Sequence, residues 1–314
     1  MRGTLLYIGQ RLILIAITTV LVSSIVFLLL HQIPGNAFLN ETRQSPQTLA
    51  AALHHYGLDL PLQQQYANWV QAVIHGDLGE SLVNRGVKIT PLLIRETSVS
   101  ATVGFFALLV TIGLGLILGV IAALRQNTWV DYVASSTAVV GYSIPSFVLA
   151  IFGLLVFGHY FFIWTQGTVF YTPGFTSPWT QVEVPALALG LPYASYVARL
   201  TRASMLETIR TDYVRTAWAK GLKARVVVTR HALRNALIPV VTILGPLTTG
   251  IITGSVVIEN IFGIPGLGKE FITSITARDY NIVIGVFTFY AALVGLANLT
   301  VDVIYPVLDP RIRY

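Results

Sequence analysis

The sequence predicts an all-α membrane protein with six transmembrane helices and both termini in the cytoplasm. Three observations support this fold class: the composition, the long stretches without formal charge, and the distribution of lysine and arginine. Hydrophobic residues make up 54% of the 314 residues and charged residues only 11%, whereas soluble domains carry about 25% charged residues. So few charges cannot cover the surface of a soluble protein, and a lipid bilayer is the better solvent for this chain.

Six stretches contain no Asp, Glu, Lys or Arg, and each predicts one span. They cover residues 12–40, 97–124, 132–182, 184–198, 235–258 and 280–301. A spanning helix needs about 20 largely apolar residues. The third stretch is too long for one helix, and its second half mixes aromatic residues with Gly and Pro, as in an interfacial belt and loop. The fourth is short, but the charged side chains at its ends can reach the membrane surface. We therefore place the spans at about 10–32, 97–124, 132–160, 184–205, 237–258 and 281–304, within one transmembrane domain over residues 1–314.

Lysine and arginine predict the orientation of these spans. With the N-terminus inside, 14 of the 20 basic residues lie on the inner side, as the positive-inside rule requires. Nine of them fall between Arg199 and Arg234. Residues 33–96, 161–183 and 259–280 then form external loops, and residues 206–236 form a long cytoplasmic loop. The net charge of +6 is explained by this topology, and no nucleic-acid-binding motif accompanies it, so we expect lipid but no nucleic acid as a partner.

Nothing in the sequence predicts an active site or a metal site. No Ser/His/Asp set, carboxylate pair or H-E-x-x-H motif is present, so no catalytic residue is predicted. The chain has no cysteine. His54 and His55 are adjacent in a polar loop and lack the spacing of a metal site, so no metal ligand is predicted.

The stretch "GIPGLGKE", from Gly263 to Glu270, differs by one residue from a P-loop. A P-loop needs G-x-x-x-x-G-K followed by Ser or Thr, and here Glu270 would bring a carboxylate toward the phosphates. The stretch also follows the fifth span, on the predicted external side, and no buried strand precedes it. We interpret it as a Gly/Pro turn in an external loop and predict that this chain does not hydrolyse ATP.

The strongest local signal is "DYVRTAWAKGLKARVVVTRHALRNALIP", from Asp212 to Pro239. It predicts two short helices broken at Gly221, because Gly accepts backbone angles that other residues resist. Apolar side chains among many Arg and Lys residues indicate either docking against another protein or an amphipathic helix lying on anionic lipid. Periodicity alone does not decide between the two.

This loop resembles the EAA loop of permease subunits from ABC importers, the membrane partners of a separate ATPase. The family pattern is a short Ala-rich helix followed by Gly, His, Asn and Pro, and Ala217, Gly221, His231, Asn235 and Pro239 occupy those places. The glutamate of the general pattern is Arg215 here, which is typical of the peptide-permease branch. The resemblance implies that the residues coupling to the ATPase subunit are Tyr213, Arg215, Ala217, Ala219, Lys220, Gly221, Leu222, His231 and Asn235.

Three further stretches are similar to the B-type subunit of dipeptide, oligopeptide and nickel importers. They are "GLDLPLQQQYANWVQAVIHGDLGES" (57–81), "SIPSF" (143–147) and "ENIFGIPGLG" (259–268). The last identifies the false P-loop as a family external-loop motif. One departure is 84–102, where the branch usually has Pro before Val87 and "LPAT" near 99–102. This departure affects the entry into the second span.

The resemblance implies a type I ABC importer permease fold and uptake of di- or oligopeptides across a bacterial or archaeal cytoplasmic (inner) membrane. The implied partners are a second homologous permease subunit, two ATPase subunits and an extracytoplasmic solute-binding protein. ATP and Mg²⁺ would belong to the ATPase subunits, so no cofactor is expected in this chain. Nickel or another small solute is the alternative substrate. A self-contained secondary transporter is the alternative class, although it would more often show polar residues in mid-span and an internal repeat.

The third span contains a candidate for the transport pathway. Pro145 interrupts this span, and a kink frees backbone carbonyls that neighbouring helices or cavity water must satisfy. Ser143, Pro145 and Ser146 are therefore candidates to line the pathway. Plain helix packing is the alternative interpretation.

Overall fold

The computed structural model describes residues 2–33, 46–165, 175, 181–252 and 256–308. Over these residues the chain is helical, with one isolated β-bridge between Glu80 and Lys88 and no strand. The helices in chain order are α1 (Arg2–Gln32), α2 (Pro46–His55), α3 (Leu62–Ile74), α4 (Ile89–Leu124), α5 (Trp129–Ser143), α6 (Ser146–Trp164, π-helical over Leu154–Phe161), α7 (Glu183–Ile209), α8 (Asp212–Ala219), α9 (Ala224–Val226, π-helical Val227–Ala232 and Leu233–Ile252), α10 (Val256–Phe262), α11 (Leu267–Ala277) and α12 (Tyr280–Leu308).

Five helical segments in the described part of the chain are long and apolar enough to cross a membrane. They are Leu6–Gln32, Ile89–Leu124, Ser146–Trp164, Ala224–Ile251 and Tyr280–Val303. These segments overlap the predicted first, second, third, fifth and sixth spans.

The predicted fourth span, 184–205, lies inside α7, which is not among the five apolar segments. Fourteen of the 27 residues of α7 are buried, because neighbouring helices cover it. A helix that is covered by protein needs less apolar surface than one that faces lipid. The low apolarity of α7 therefore has a physical reason in its packing.

The predicted third span, 132–160, does not form one continuous helix. α5 ends at Ser143 and α6 begins at Ser146, and Ile144 and Pro145 between them are extended, with ψ angles of 122° and 141°. The residue before a proline is disfavoured in the α conformation, and proline fits just before a helix because its missing N–H is not needed there. The interruption predicted at Pro145 is confirmed as a break between two helices.

One sequence-based expectation needs correction. The second short helix expected after Gly221 is the beginning of α9, which continues without a break into the fifth apolar segment. Val227, Ala232 and Ala236 are all buried along this beginning, so packing keeps it helical. The stretch 259–280, predicted as an external loop, contains a regular helix, α11, and its place outside the membrane stays a prediction.

The described helices form two compact units, the first from residues 1–99 and 265–296. Its core is a cluster of buried aliphatic side chains: Leu78, Ile89, Leu93, Leu267, Ile282 and Val286. Beside this core the buried carboxylate of Asp279 accepts hydrogen bonds from the Ser81 hydroxyl and from the backbone N–H groups of Leu82, Val83 and Ile282. One side chain thus fastens the loop at 81–83 to the start of α12. We call this arrangement the Asp279 clamp.

The second unit contains residues 100–264 and 297–314, and α7 lies at its centre. α4 approaches α7 closely at Gly115 and Gly119. A Cβ atom at Gly119 would lie 2.5 Å from Cβ of Thr201, and one at Gly115 would lie 2.7 Å from Cβ of Val197. Only glycine leaves room for this contact. The G-x-x-x-G pair therefore serves packing inside the chain.

Candidate functional site

The turn between α8 and α9 is built around a left-handed glycine. α8 ends at Ala219, and Gly221 has φ of +72°. The N–H of Gly221 bonds to the carbonyl of Trp218 at 2.9 Å, and that of Leu222 bonds to the carbonyl of Ala217 at 3.4 Å. Glycine is the usual residue at such a helix end because a Cβ is unfavourable at positive φ. The break predicted at Gly221 is confirmed, and we call residues 212–235 the α8–α9 elbow.

A small core and one side-chain hydrogen bond hold the elbow together. Val214, Ala217 and Val227 are buried against each other. The amide Nδ2 of Asn235 donates to the Tyr213 hydroxyl at 2.7 Å. Two of the predicted coupling residues, Tyr213 and Asn235, therefore act as a link between α8 and α9.

The outer surface of the elbow combines exposed apolar side chains with basic ones. Tyr213, Trp218, Leu222 and Val226 are between 37% and 46% exposed. Most of the other predicted coupling residues are exposed as well: Arg215, Ala219, Lys220, Gly221 and Asn235. Ala217 is buried inside the elbow and His231 is half-buried. Seven of the nine predicted residues are thus available at the surface, and Trp218 and Val226 extend the set.

The elbow is packed directly onto the helices of the second unit. Ala232 and Ala236 at the beginning of α9 form a buried cluster with Met205 of α7 and Ala123 of α4. This cluster was not predicted, because nothing in the local sequence shows which distant alanines meet. A displacement of the elbow would therefore be transmitted to α7 and α4 through close contacts.

A groove with aromatic walls lies between α5, α7 and α9. Its volume is about 560 Å³, and its lining consists of Tyr142, Tyr193, Tyr196, Thr242, Ile243, Pro246 and Leu247. The rings of Tyr142 and Tyr196 are 6.1 Å apart between centroids. The guanidinium carbon of Arg199 is 4.5 Å from the centroid of the Tyr142 ring. We call the lining set the tyrosine groove, and Arg199 lies beside it through its contact with Tyr142.

The predicted pathway residues follow a groove residue, Tyr142, in the chain, but they do not line the groove. Ser143 donates a hydrogen bond to the carbonyl of Val139 in its own helix, at 2.8 Å. Ser143, Pro145 and Ser146 are absent from the lining, whereas the preceding residue, Tyr142, belongs to it. A signal for the groove was present in the sequence, since Tyr193, Tyr196 and Arg199 follow at intervals of three and so lie along one side of a helix.

A buried ion pair fixes α5 to α7 near the beginning of α5. Arg202 donates to both carboxylate oxygens of Asp131, from Nε at 2.6 Å and from Nη2 at 2.7 Å. The backbone N–H of Asn127 and the hydroxyl of Ser135 donate to the same carboxylate. These bonds, led by that of Arg202, lower the pKa of Asp131 to about 2, although burial acts in the opposite direction. Such two-pronged pairs are geometrically specific, and this one was not predicted.

The false P-loop has no structural counterpart of a phosphate site. The helix α10 precedes it, where a P-loop requires a strand. Glu270 lies in the first turn of α11, and burial together with the nearby Asp279 raises the pKa of its carboxyl. Among the described residues no group of three or more metal-ligating side chains is found, and His54 is bonded to Asp59 at 2.8 Å.

Comparison with known proteins decides the family. The model of the binding-protein-dependent transport system inner membrane component matches residues 115–314, and the model of the N-terminal part of such membrane components matches residues 4–87. The chain belongs to this family. The prediction made from the loop at 212–239 and the three other stretches is thereby confirmed.

Curated relatives match this chain over nearly its whole length. It is 41% identical over 308 residues to the dipeptide transport system permease protein DppB of Bacillus subtilis (strain 168), covering 98% of this chain and 97% of that protein. It is 38% identical over 302 residues to the oligopeptide transport system permease protein OppB of Salmonella typhimurium, covering 95% of each.

Solved structures share the fold. One is a crystal structure of an amino acid ABC transporter with histidines, with a TM-score of 0.52 at 19% identity over 71% of this chain and 95% of that chain. Another is the methionine ABC transporter MetNI in inward-facing conformations, with a TM-score of 0.53 at 19% identity over 69% and 96%. The permease fold expected from the sequence is therefore supported by geometry as well.

Proposed function

We propose that this chain is a permease subunit of an ABC importer that takes up di- or oligopeptides. It forms the pathway with a second homologous permease subunit, and two ATPase subunits supply the energy by ATP hydrolysis. The relatives at 41% and 38% identity are named as dipeptide and oligopeptide permeases, and the match covers nearly the whole chain. A solute-binding protein on the outer side delivers the peptide.

The α8–α9 elbow is the observation that carries the proposal. Its outer surface offers Tyr213, Trp218 and Leu222 beside Arg and Lys, which is a surface suited to another protein. Exposed aromatic residues with arginine are enriched where proteins meet. ATP can shift the transporter between states only through contacts that differ between those states. The cluster of Ala232 and Ala236 with Met205 and Ala123 gives those contacts a route to α7 and α4.

The topology that goes with this function has six spans in one permease domain. α7 is the fourth span, both termini are cytoplasmic, and the elbow lies on the cytoplasmic side next to the ATPase. Residues 46–88 and α11 lie on the external side. Because the chain has no cysteine, a single introduced cysteine is the only one of this chain that can be labelled. Gln64→Cys is expected to react only from outside and Arg225→Cys only from inside, and labelling of both from one side would contradict the topology.

Reconstitution tests the function as a whole. The chain is co-expressed with the ATPase, second-permease and binding-protein genes from its own genome and is placed in liposomes. Uptake of labelled di- and tripeptides is expected to require ATP, both ATPase subunits and the binding protein. Uptake of nickel but not of peptides would contradict the substrate class. Uptake by this chain alone, without ATP, would contradict the importer and favour a secondary transporter.

A further inference from the structure

We propose that Arg199, which lies over the Tyr142 ring at the edge of the tyrosine groove, binds the C-terminal carboxylate of the peptide as it passes. The inference rests on the proposed peptide importer and adds a residue that recognises the substrate. In this proposal Arg199 binds the C-terminal carboxylate, which all peptides with a free C-terminus share. The tyrosine walls contact the side chains, which vary from one peptide to the next.

The groove has the size and composition of a small-molecule site. Its volume of about 560 Å³ falls within the range of about 300–1,000 Å³ typical of such sites. Three tyrosine rings and the aliphatic side chains of α9 form its walls. Aromatic rings carry a large apolar surface with few rotatable bonds, and they accept many side chains without strict shape. A transporter of varied peptides needs walls of this kind.

Arg199 differs from Arg202, the other cation of α7, because no carboxylate of the described residues pairs with it. Arg199 precedes Arg202 by three residues, so it lies about 4.5 Å nearer to the middle of the predicted span along the helix axis. Arg202 is satisfied by Asp131. In the described part of the chain no carboxylate lies within ion-pair distance of Arg199, whose side chain is exposed in the single chain. At this end of the span an arginine side chain can also extend to the membrane surface, but here the guanidinium lies over the Tyr142 ring beside the groove. A cation of a span that faces a cavity indicates a functional site.

The contact with Tyr142 prepares Arg199 for an anion. The guanidinium carbon is 4.5 Å from the ring centroid, which is within the distance of a cation–π contact. A guanidinium that stacks on an aromatic ring still has N–H groups free in its own plane. Two of these can donate to the two oxygens of one carboxylate. The ring limits the rotamers of the long side chain, so that less entropy is lost when the anion binds. Arg199 is thus a binding residue, and Tyr142 positions it.

A lipid phosphate is the competing ligand for an exposed arginine in a membrane protein. A lipid site would be indifferent to the C-terminus of the peptide. The two ligands are therefore separated by comparing a peptide that has a free C-terminal carboxylate with the same peptide carrying a C-terminal amide.

The experiment uses the complete importer in liposomes, with one binding protein throughout, saturated with each peptide. The variants are Arg199→Gln, Arg199→Lys and, as a matched control, Arg210→Gln, which removes an exposed arginine further along the chain. Assembly of each complex is checked by subunit stoichiometry. Because the binding protein is unchanged, its own preference cancels in the ratio of variant to wild-type uptake.

Arg199→Gln is expected to lower uptake of the free-acid peptide at least about tenfold, since hydrogen bonds to a charged group are among the strong ones. Arg199→Lys is expected to restore part of it, and Arg210→Gln to leave it unchanged. Uptake of the amide is expected to change less than about twofold in Arg199→Gln. An equal loss for both peptides, or no loss for the free acid, would overturn the assignment. If instead the wild-type complex takes up no peptide, the proposed function itself is wrong.

Discussion

The Asp279 clamp and the α8–α9 elbow are both turns between helices, but they are held in opposite ways. At the clamp a carboxylate that is 1% exposed accepts four hydrogen bonds, from Ser81, Leu82, Val83 and Ile282. At the elbow a small apolar core and one exposed hydrogen bond, between Asn235 and Tyr213, hold the turn. At the elbow the aromatic side chains of Tyr213 and Trp218 are exposed, whereas at the clamp the carboxylate of Asp279 is buried.

The difference separates a structural turn from a docking turn. Buried polar groups whose partners are all present make a local structure rigid and unique. A turn that leaves apolar side chains exposed retains surface that another protein can bury. We therefore expect changes at the clamp to affect stability and changes at the elbow to affect coupling to ATP hydrolysis.

The largest effect on stability is expected from Asp279→Ala. The change leaves two or more buried N–H groups without an acceptor, each at a cost of about 1–3 kcal/mol, so a loss of more than about 3 kcal/mol is expected. The thermal midpoint of the purified complex should fall, and hydrogen exchange should increase at residues 81–83 and 279–283.

Asp77→Ala is the matched control for the clamp. Asp77 is also an acid of the first unit, but it is exposed and accepts a single bond from the N–H of Gly79 at 2.8 Å. A loss below about 1 kcal/mol is expected for it. Equal losses at both positions would show that the clamp is no more important than a surface turn.

Gly221→Val is expected to reduce peptide-stimulated ATP hydrolysis by more than about tenfold while membrane insertion continues. A Cβ at Gly221 would meet no atom of this chain within 4 Å, so the strain expected within the chain comes from the φ angle of +72°. A β-branched residue at positive φ is a strong conformational outlier, with a cost of about 1–3 kcal/mol.

Gly221→Asn separates the backbone from the side chain at this position. Asparagine tolerates the left-handed region far better than valine, so Gly221→Asn should keep most of the stimulated activity. If both variants lost activity equally, added bulk at the docking surface would be the cause, and the φ angle would not matter.

Asp131 gives the second unit its own buried carboxylate, and its contribution to stability should depend on pH. The folded pKa of about 2 lies below the ordinary value of about 3.9. The contribution is therefore fully present above about pH 4 and is lost as the pH falls through about 2.

Thermal midpoints of wild type and Asp131→Asn, measured as the pH is lowered, test this dependence. The variant should be less stable at neutral pH, and the difference should shrink toward about pH 2. A difference that is independent of pH would mean that the charge of Asp131 is not what stabilises the pair.

The sequence predicts those parts of the molecule that depend on local patterns. The five apolar segments overlap the runs without charge, and the elbow follows from Gly221 and its flanking residues. Long-range polar pairs were not predictable: Asp131 and Arg202 are 71 residues apart, and Ser81 and Asp279 are 198 apart. Periodicity carries no information about which distant side chains meet. The low apolarity of α7 likewise makes sense only once its neighbours are known.

The smallest effect is expected from Lys269→Ala, in the stretch that differs from a P-loop by one residue. Lys269 lies in the first turn of α11, and a helix precedes it where a nucleotide-binding loop needs a strand. ATP hydrolysis by the complex should stay within about twofold, equivalent to about 0.4 kcal/mol in the barrier. If Lys269 contacted the β- and γ-phosphates, its replacement would lower the rate of ATP hydrolysis by orders of magnitude, because phosphoryl transfer depends on electrostatic positioning. The measurement is ATPase activity of the assembly together with nucleotide binding by this chain alone. Tight ATP binding to the isolated chain, abolished by Lys269→Ala, would contradict the importer permease, since the phosphates would then be held by the wrong subunit.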